Sequence, residues 1–489
     1  MLNFYTYIIT APLIGGFFIL FFNNPRIIKT ISITTSFLIF LCLSFVWASF
    51  DQQTADFQLL QTIDWIKIYN INLVIGVDGI SILFIMLTAL LIPLCMVSSY
   101  YSIQKQVKLY YFLFLLLEFL LLVIFSTLDL FFFYIFFEGV LIPMYLLIGI
   151  WGSRERKVRA SYLFFLYTLI GSVLMLLAIL SIYNIYGTTD YISLLTIDID
   201  PFLQKLYWLA FFASFAVKVP MFPVHIWLPE AHVEAPTAGS VLLAGILLKL
   251  GSYGLLRFSI PLFPLGTLYF TPLVNCLAII AVIYCSITAI RQTDIKRVIA
   301  YASVAHMNLI ILGLFSGTVE GVEGSILQMI SHGLVSSGLF LCVGILYDRY
   351  HSRLITYYSG LVHHMPIFIC IFLLYFLSNI ALPGTSSFVG ELLIFAGLIQ
   401  TNTVLTFLGA SSMVLGGIYS LWLFNRIAFG NLQNNFLKTY YDISYHEIIV
   451  QTPLVFCILF MGIYPSFLLN VIHSNVNNII LIYDYVSFV

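Results

Sequence analysis

The chain is written almost entirely in long apolar runs joined by short polar links. Runs of about 20 predominantly apolar residues, the length that crosses hydrocarbon as a helix, recur from near residue 6 to near residue 470. They are centred near residues 14, 40, 91, 118, 140, 173, 213, 247, 281, 307, 334, 374, 415 and 458. The pattern predicts an all-α polytopic membrane protein with about fourteen transmembrane helices. Only one polar gap is long, between the second and third runs.

Two runs are broken. Pro220, Pro223 and Pro229 interrupt the seventh just after Lys218, and Leu382-Pro383-Gly384 interrupts the twelfth just before Glu391. Irregular backbone at membrane depth survives only where protein covers it or a wet cavity lies beside it. Broken helices at corresponding places in two halves of a chain mark inverted repeats in many transporters. Here Lys218 and Glu391 are 173 positions apart, and Glu138 and His306 are 168 apart. These offsets predict two inverted five-helix repeats, spans 4–8 and 9–13. The expected organisation is N-terminal helices in 1–108, a first proton half-channel in 109–258, a second in 259–430, and a last helix with its tail in 431–489.

Charge adds an orientation. Of 489 residues, 61% are hydrophobic and only 8% charged, against about 25% charged in soluble domains. Alternate loops hold Arg26, Lys29, Lys105, Lys108, Arg154, Arg156, Lys157, Arg159, Arg291, Lys296, Arg297, Arg349, Arg353, Arg426 and Lys438, fifteen of the 20 basic residues. The intervening loops hold Lys67, Lys205 and Arg257 beside Asp51, Asp56, Asp64, Asp78, Asp129, Asp190, Asp198, Asp200, Glu320 and Glu323. The positive-inside rule then puts both termini on the outer side. No basic tail or stripe points to nucleic acid. The opening MLNFYTYIIT shows no leader, so insertion is expected where the chain is made. Its 45 Phe and 31 Tyr suit an AT-rich organellar genome. The seven cysteines form no CxxC pair, so they read as packing residues and no metal site is expected.

Five acidic or basic residues charged at neutral pH fall inside apolar runs: Glu118, Glu138, Lys218, Lys249 and Glu391. Charges at that depth are costly and mark functional sites by default, though structural pairing is the competing reading. Burial disfavours a charged amine and a nearby carboxylate restores it, so a lysine facing an acid holds its proton according to the distance between them. Glu138 facing Lys218 would make such a pair. His306 and His332 could relay protons, since imidazole titrates near neutrality; each could equally be a hydrogen-bonded packing residue. His225 and His232 lie at the first helix break, where a structural role is as open. No dinucleotide fingerprint, phosphate loop or cysteine cluster is present, so no cofactor is expected on this chain.

Five stretches carry a resemblance: FFEGVLIPMYLLIGIWGSRERK, FAVKVPMFPVHIWLPEAHVEAPTAGSVLLAGILLKLGSYG, DIKRVIAYASVAHMN, ISHGLVSSGLF and LPGTSSFVGE. Together they closely resemble the antiporter-like proton-translocating subunits of respiratory complex I. The resemblance implies a Glu138–Lys218 pair, Lys249 as central relay, His306 and His332 continuing the hydrophilic axis, and Glu391 at the exit side. Glu118 matches an acid present in only some members. NADH, FMN, iron–sulfur clusters and ubiquinone are implied in partner subunits. The implied partners are other membrane-arm subunits, especially antiporter-like subunits 2 and 5, supernumerary subunits and membrane lipids. The implied location is the mitochondrial inner membrane, with both termini facing the intermembrane space. The multisubunit sodium/proton antiporters share the fold and the Glu–Lys motif, and give the alternative of a secondary cation/proton antiporter.

Overall fold

Hydrocarbon offers no partner to a backbone N–H or C=O, so each apolar run must close its hydrogen bonds within itself, which a helix does. The structure, a computed structural model, describes residues 2–69, 71–431 and 441–488; Lys438 lies outside them. Eleven helices among the described residues are long and apolar enough to cross a membrane. They are Pro25–Ala48, Gly79–Ser98, Val107–Ser126, Leu130–Trp151, Lys157–Tyr186, Thr237–Leu262, Pro264–Ile290, Ile295–Leu314, Val319–Tyr350, Thr403–Ala428 and Tyr445–Ile463. The other apolar runs are helical too, but shorter or interrupted: Leu2–Leu20, Pro201–Lys218 with Trp227–Glu234, and Pro366–Asn379 with Ser386–Thr401. The chain is thus a multi-pass, mostly helical membrane protein with both expected breaks.

The chain divides into two units. One comprises residues 1–218, 249–272 and 470–489, the other 219–248 and 273–469, so the helix Thr237–Leu262 contributes to both.

In the first unit the long polar gap folds as an antiparallel hairpin, Gln58–Ile66 with Ile71–Val77, in which Thr62 lies opposite Val74 and Ile63 opposite Leu73. Its second strand feeds directly into Asp78, the N-cap of Gly79–Ser98. The Asp78 carboxylate accepts from the Ser81 N–H at 2.9 Å, and the Ser81 hydroxyl accepts from the Asp78 N–H at 2.9 Å. This reciprocal cap satisfies two donors that a helix start leaves open. Arg257 Nη2 meets Asp78 Oδ1 at 2.5 Å, and Asn475 Nδ2 donates to Oδ2 at 3.1 Å. Asp78 and Arg257, expected in outer loops, are therefore buried partners. Asn475 belongs to a helix, Ser466–Phe488, where the sequence suggested only a tail; its polar Asn and Ser residues had lowered the hydropathy signal.

The second unit is built around Val319–Tyr350, buried continuously from Gly321 to Leu346. The helices Ile295–Leu314, Pro366–Asn379, Ser386–Thr401 and Tyr445–Ile463 pack on it. Between the two halves of the twelfth run the backbone turns through Ala381 and Gly384, at φ 61 and 93°; at Gly384 only a residue without Cβ adopts that angle without strain. Lys296 and Arg353 correct the loop expectation again. Both are buried. Lys296 Nζ donates to Ala235 O at 3.0 Å and Ser240 Oγ at 3.1 Å, and Arg353 Nη1 donates to Val233 O. The open carbonyls at the end of Trp227–Glu234 are thus capped by cations, the favourable sign at a helix C-terminus. Among the cysteines, Cys95, Cys285 and Cys342 are buried, while Cys276 and Cys370 are exposed rather than packed.

Candidate functional site

Lys218 is the last residue of Pro201–Lys218. The helix stops there because Pro220 has no N–H to continue the ladder, and a proline restricts the residue before it. The lysine is 2% exposed. Its Nζ lies 4.5 Å from the centroid of the Phe137 ring and has no hydrogen-bond partner among the described residues. Glu138, next to Phe137 on Leu130–Gly139, lies within electrostatic reach of Lys218 and beside the Ser172 hydroxyl. One of its oxygens, Oε1, is buried without a hydrogen bond among the described residues. The two charges therefore feel each other through a field and are not locked together.

Lys249 has no exposed surface. Its helix is wound as π-helix on both sides of it, over Leu243–Leu247 and over Leu255–Ser259. Such turns are uncommon and recur at functional sites. No sequence signal announced them, because the pattern around Lys249 is uniformly apolar and has no period to disturb. Glu118 is likewise fully buried, and neither of its oxygens has a hydrogen bond among the described residues.

In the second unit the acid is fastened. Glu391 Oε1 accepts from Gln328 Nε2 at 3.1 Å and lies 3.3 Å from His306 Nδ1. Gly390 permits this approach: a Cβ there would stand 2.7 Å from Gln328 Oε1. The His306 and His332 rings are 5.8 Å apart between centroids. The Ser331 hydroxyl, beside His332, bonds both Ser386 and Ser387 at 2.7 Å. His232 stacks on Phe340 at 4.7 Å, and His225 stacks on Phe222 at 5.9 Å; both are aromatic packing contacts at the first break.

Three groups escaped the sequence reading. Gln328 and Tyr419 touch Glu391 and His306 directly, and Lys296 forms the buried cation described above. Uncharged polar residues in apolar helices were the available signal for the first two. Among the described residues no cluster of three or more His, Cys, Asp or Glu is arranged to hold a metal ion.

Comparison with known proteins agrees with the resemblance carried by the motifs. Residues 127–416 match the family described as NADH:quinone oxidoreductase/Mrp antiporter, transmembrane. The chain is 54% identical to NADH-ubiquinone oxidoreductase chain 4 of Marchantia polymorpha, over 97% of this chain and 96% of that one. It is 52% identical to the protein of the same name from Arabidopsis thaliana, with the same coverage. A chain of respiratory complex I from Thermus thermophilus has the same fold, with a TM-score of 0.90 and 29% identity over 98% of this chain and 99% of that chain. On the motifs, the matched region and the full-length likeness together, the chain belongs to the NADH:quinone oxidoreductase/Mrp antiporter transmembrane family.

Proposed function

We propose that this chain is a membrane-arm subunit of a mitochondrial NADH:ubiquinone oxidoreductase and moves protons across the inner membrane. NADH oxidation and ubiquinone reduction, with their FMN and iron–sulfur clusters, take place in partner subunits. Antiporter-like subunits 2 and 5, supernumerary subunits and lipids surround it, and both termini face the intermembrane space. Glu138, Lys218 and Lys249 serve a first half-channel within 109–258, and His306, His332 and Glu391 serve a second within 259–430. Glu118 is a further proton-binding group of the first.

The observation that carries this reading is Lys218, buried beside Glu138 with its ammonium nitrogen free of hydrogen bonds among the described residues. A buried charge held only through space responds steeply to separation, because Coulomb energy in a poorly screened interior changes strongly over a few ångströms. A small shift in either helix then changes how firmly Lys218 holds its proton. Driving one charge against 100 mV takes about 2.3 kcal/mol, a scale that such a shift can supply. The test is to solubilise the native membrane in mild detergent, separate complexes by size and follow this chain. Co-migration with NADH-oxidising activity in a very large assembly is expected; migration in a small assembly without that activity would overturn the reading.

The matched family also includes antiporters, so a secondary sodium/proton antiporter is the second reading. Sodium movement in membranes lacking an NADH-oxidising partner would favour it, whereas proton movement independent of sodium is expected of the redox-driven subunit.

A further inference from the structure

The hydrogen bonds around His306 can be followed inward from Ser420. Ser420 spends its only proton on Gly416 O, at 2.5 Å. Its oxygen must therefore accept from Asn379, whose Nδ2 lies 3.2 Å away. That orients the Asn379 amide, and its second N–H points to the Tyr419 oxygen at 3.5 Å. With that lone pair engaged, the Tyr419 hydroxyl proton is available to donate to His306 Nε2, 3.4 Å away. A neutral imidazole carries one proton. If Nε2 accepts, the proton is on Nδ1, which faces Glu391 Oε1 at 3.3 Å.

We propose that Tyr419 is a positioning residue that holds His306 in the tautomer whose proton faces Glu391. The inference rests on the proton-translocating reading above. A proton arriving at Nε2 then lets the Nδ1 proton pass to Glu391 Oε1. The ring ends neutral in the opposite tautomer, the carboxylate ends protonated, and the Tyr419 hydroxyl turns to accept from Nε2–H. Without that hydroxyl the two tautomers compete, and only one of them presents a proton to Glu391. Asn379 closes the first half of the broken run and Tyr419 lies on Thr403–Ala428, so the orientation of this ring depends on the helix break itself.

Among the described residues, the titratable groups facing the ring are Glu391, His332 and Tyr419. The half-helix Trp227–Glu234 packed on the same helix contributes Glu230, His232 and Glu234, of which Glu230 pairs with Arg297 at 2.8 Å.

The test compares Tyr419→Phe, His306→Gln and the double variant in the intact membrane complex. Rates are normalised to assembled complex through NADH oxidation by an artificial acceptor. Tyr419→Phe removes one hydroxyl and should slow proton-coupled ubiquinone reduction about two- to tenfold, the weight of one hydrogen bond. The deficit should be largest at alkaline pH and shrink in acid, since a choice of tautomer exists only while the imidazole is neutral. His306→Gln should cost more, and the double variant no more than His306→Gln alone, because the hydroxyl acts only through the ring. A normal rate or a pH-independent deficit in Tyr419→Phe, or additive losses in the double variant, beside an impaired His306→Gln would overturn this inference alone. A normal His306→Gln would overturn it together with the role given to His306.

Discussion

Asp78 and Arg257 meet at 2.5 Å, whereas Glu138 and Lys218, in the same unit, make no hydrogen bond to one another. Both pairs are acid with base, and three of the four residues are almost wholly buried. The difference lies in what else is present. Asp78 also accepts from a helix N–H and from Asn475, so both of its oxygens are bonded, and although Arg257 Nε has no hydrogen-bond partner among the described residues, guanidinium and carboxylate have little reason to part. Among the described residues, the Lys218 ammonium meets the Phe137 ring and feels the Glu138 carboxylate without bonding it. A buried ion pair in direct contact, with both carboxylate oxygens bonded, is costly to break, while a buried ammonium left without hydrogen bonds has less holding its proton in place. Sequence alone put Glu138 and Lys218 inside apolar runs and Asp78 and Arg257 in loops; the structure separates the two pairs by the hydrogen bonds each makes.

The contrast can be broken from either side. Arg257→Met strands the Asp78 carboxylate, and removing one partner of a buried pair costs about 3–5 kcal/mol. Assembled complex should therefore fall sharply in abundance, measured by native separation of membrane extracts; normal abundance would mean that the pair is not structural. Glu138→Gln should leave abundance nearly unchanged and reduce coupled proton movement about a hundredfold, within the range for loss of an acid–base group, measured in reconstituted vesicles. Asn475→Leu removes a charge-assisted bond and should destabilise by about 1.5–3 kcal/mol, seen as a lower midpoint of thermal inactivation. Phe137→Leu keeps an apolar contact but removes the ring face, worth about 0.5–2 kcal/mol to a nearby cation. It should alter the turnover of the assembled enzyme by a few-fold, and an unchanged turnover would show that the ring only fills space.

Much of this was legible beforehand. The apolar runs, the two breaks and the five intramembrane charges follow from hydropathy and from the inability of proline to continue a helix. Lys218 was visible because no loop could claim it. Asp78, Arg257 and Lys296 were misplaced for the converse reason: each stands at the edge of an apolar run, where a count of neighbours along the chain predicts water. What covers them comes from distant segments, Asn475 over Asp78 and the end of Trp227–Glu234 over Lys296. Tyr419 and Gln328 were missed because each carries no charge, and one polar residue in an apolar helix hardly changes its hydropathy. The hairpin over 58–77 was hidden because the run-by-run reading treated that gap only as a link.

The two π-wound turns beside Lys249 also act on the aim of a side chain. Each fits one more residue into a turn than an α-helix would, and in an α-helix one residue corresponds to about 100° of rotation. Deleting a single residue from 243–247 would let that turn relax to ordinary winding. The wide turn absorbs the extra residue, so the segments on either side would keep nearly the same bearing; the same residue wound as ordinary α-helix would instead swing everything beyond it by about a quarter-turn. The angular setting of the lysine therefore depends on these turns staying wide: straightening one to α winding with all its residues in place would turn Lys249 aside by about 100°, while removing one residue would not.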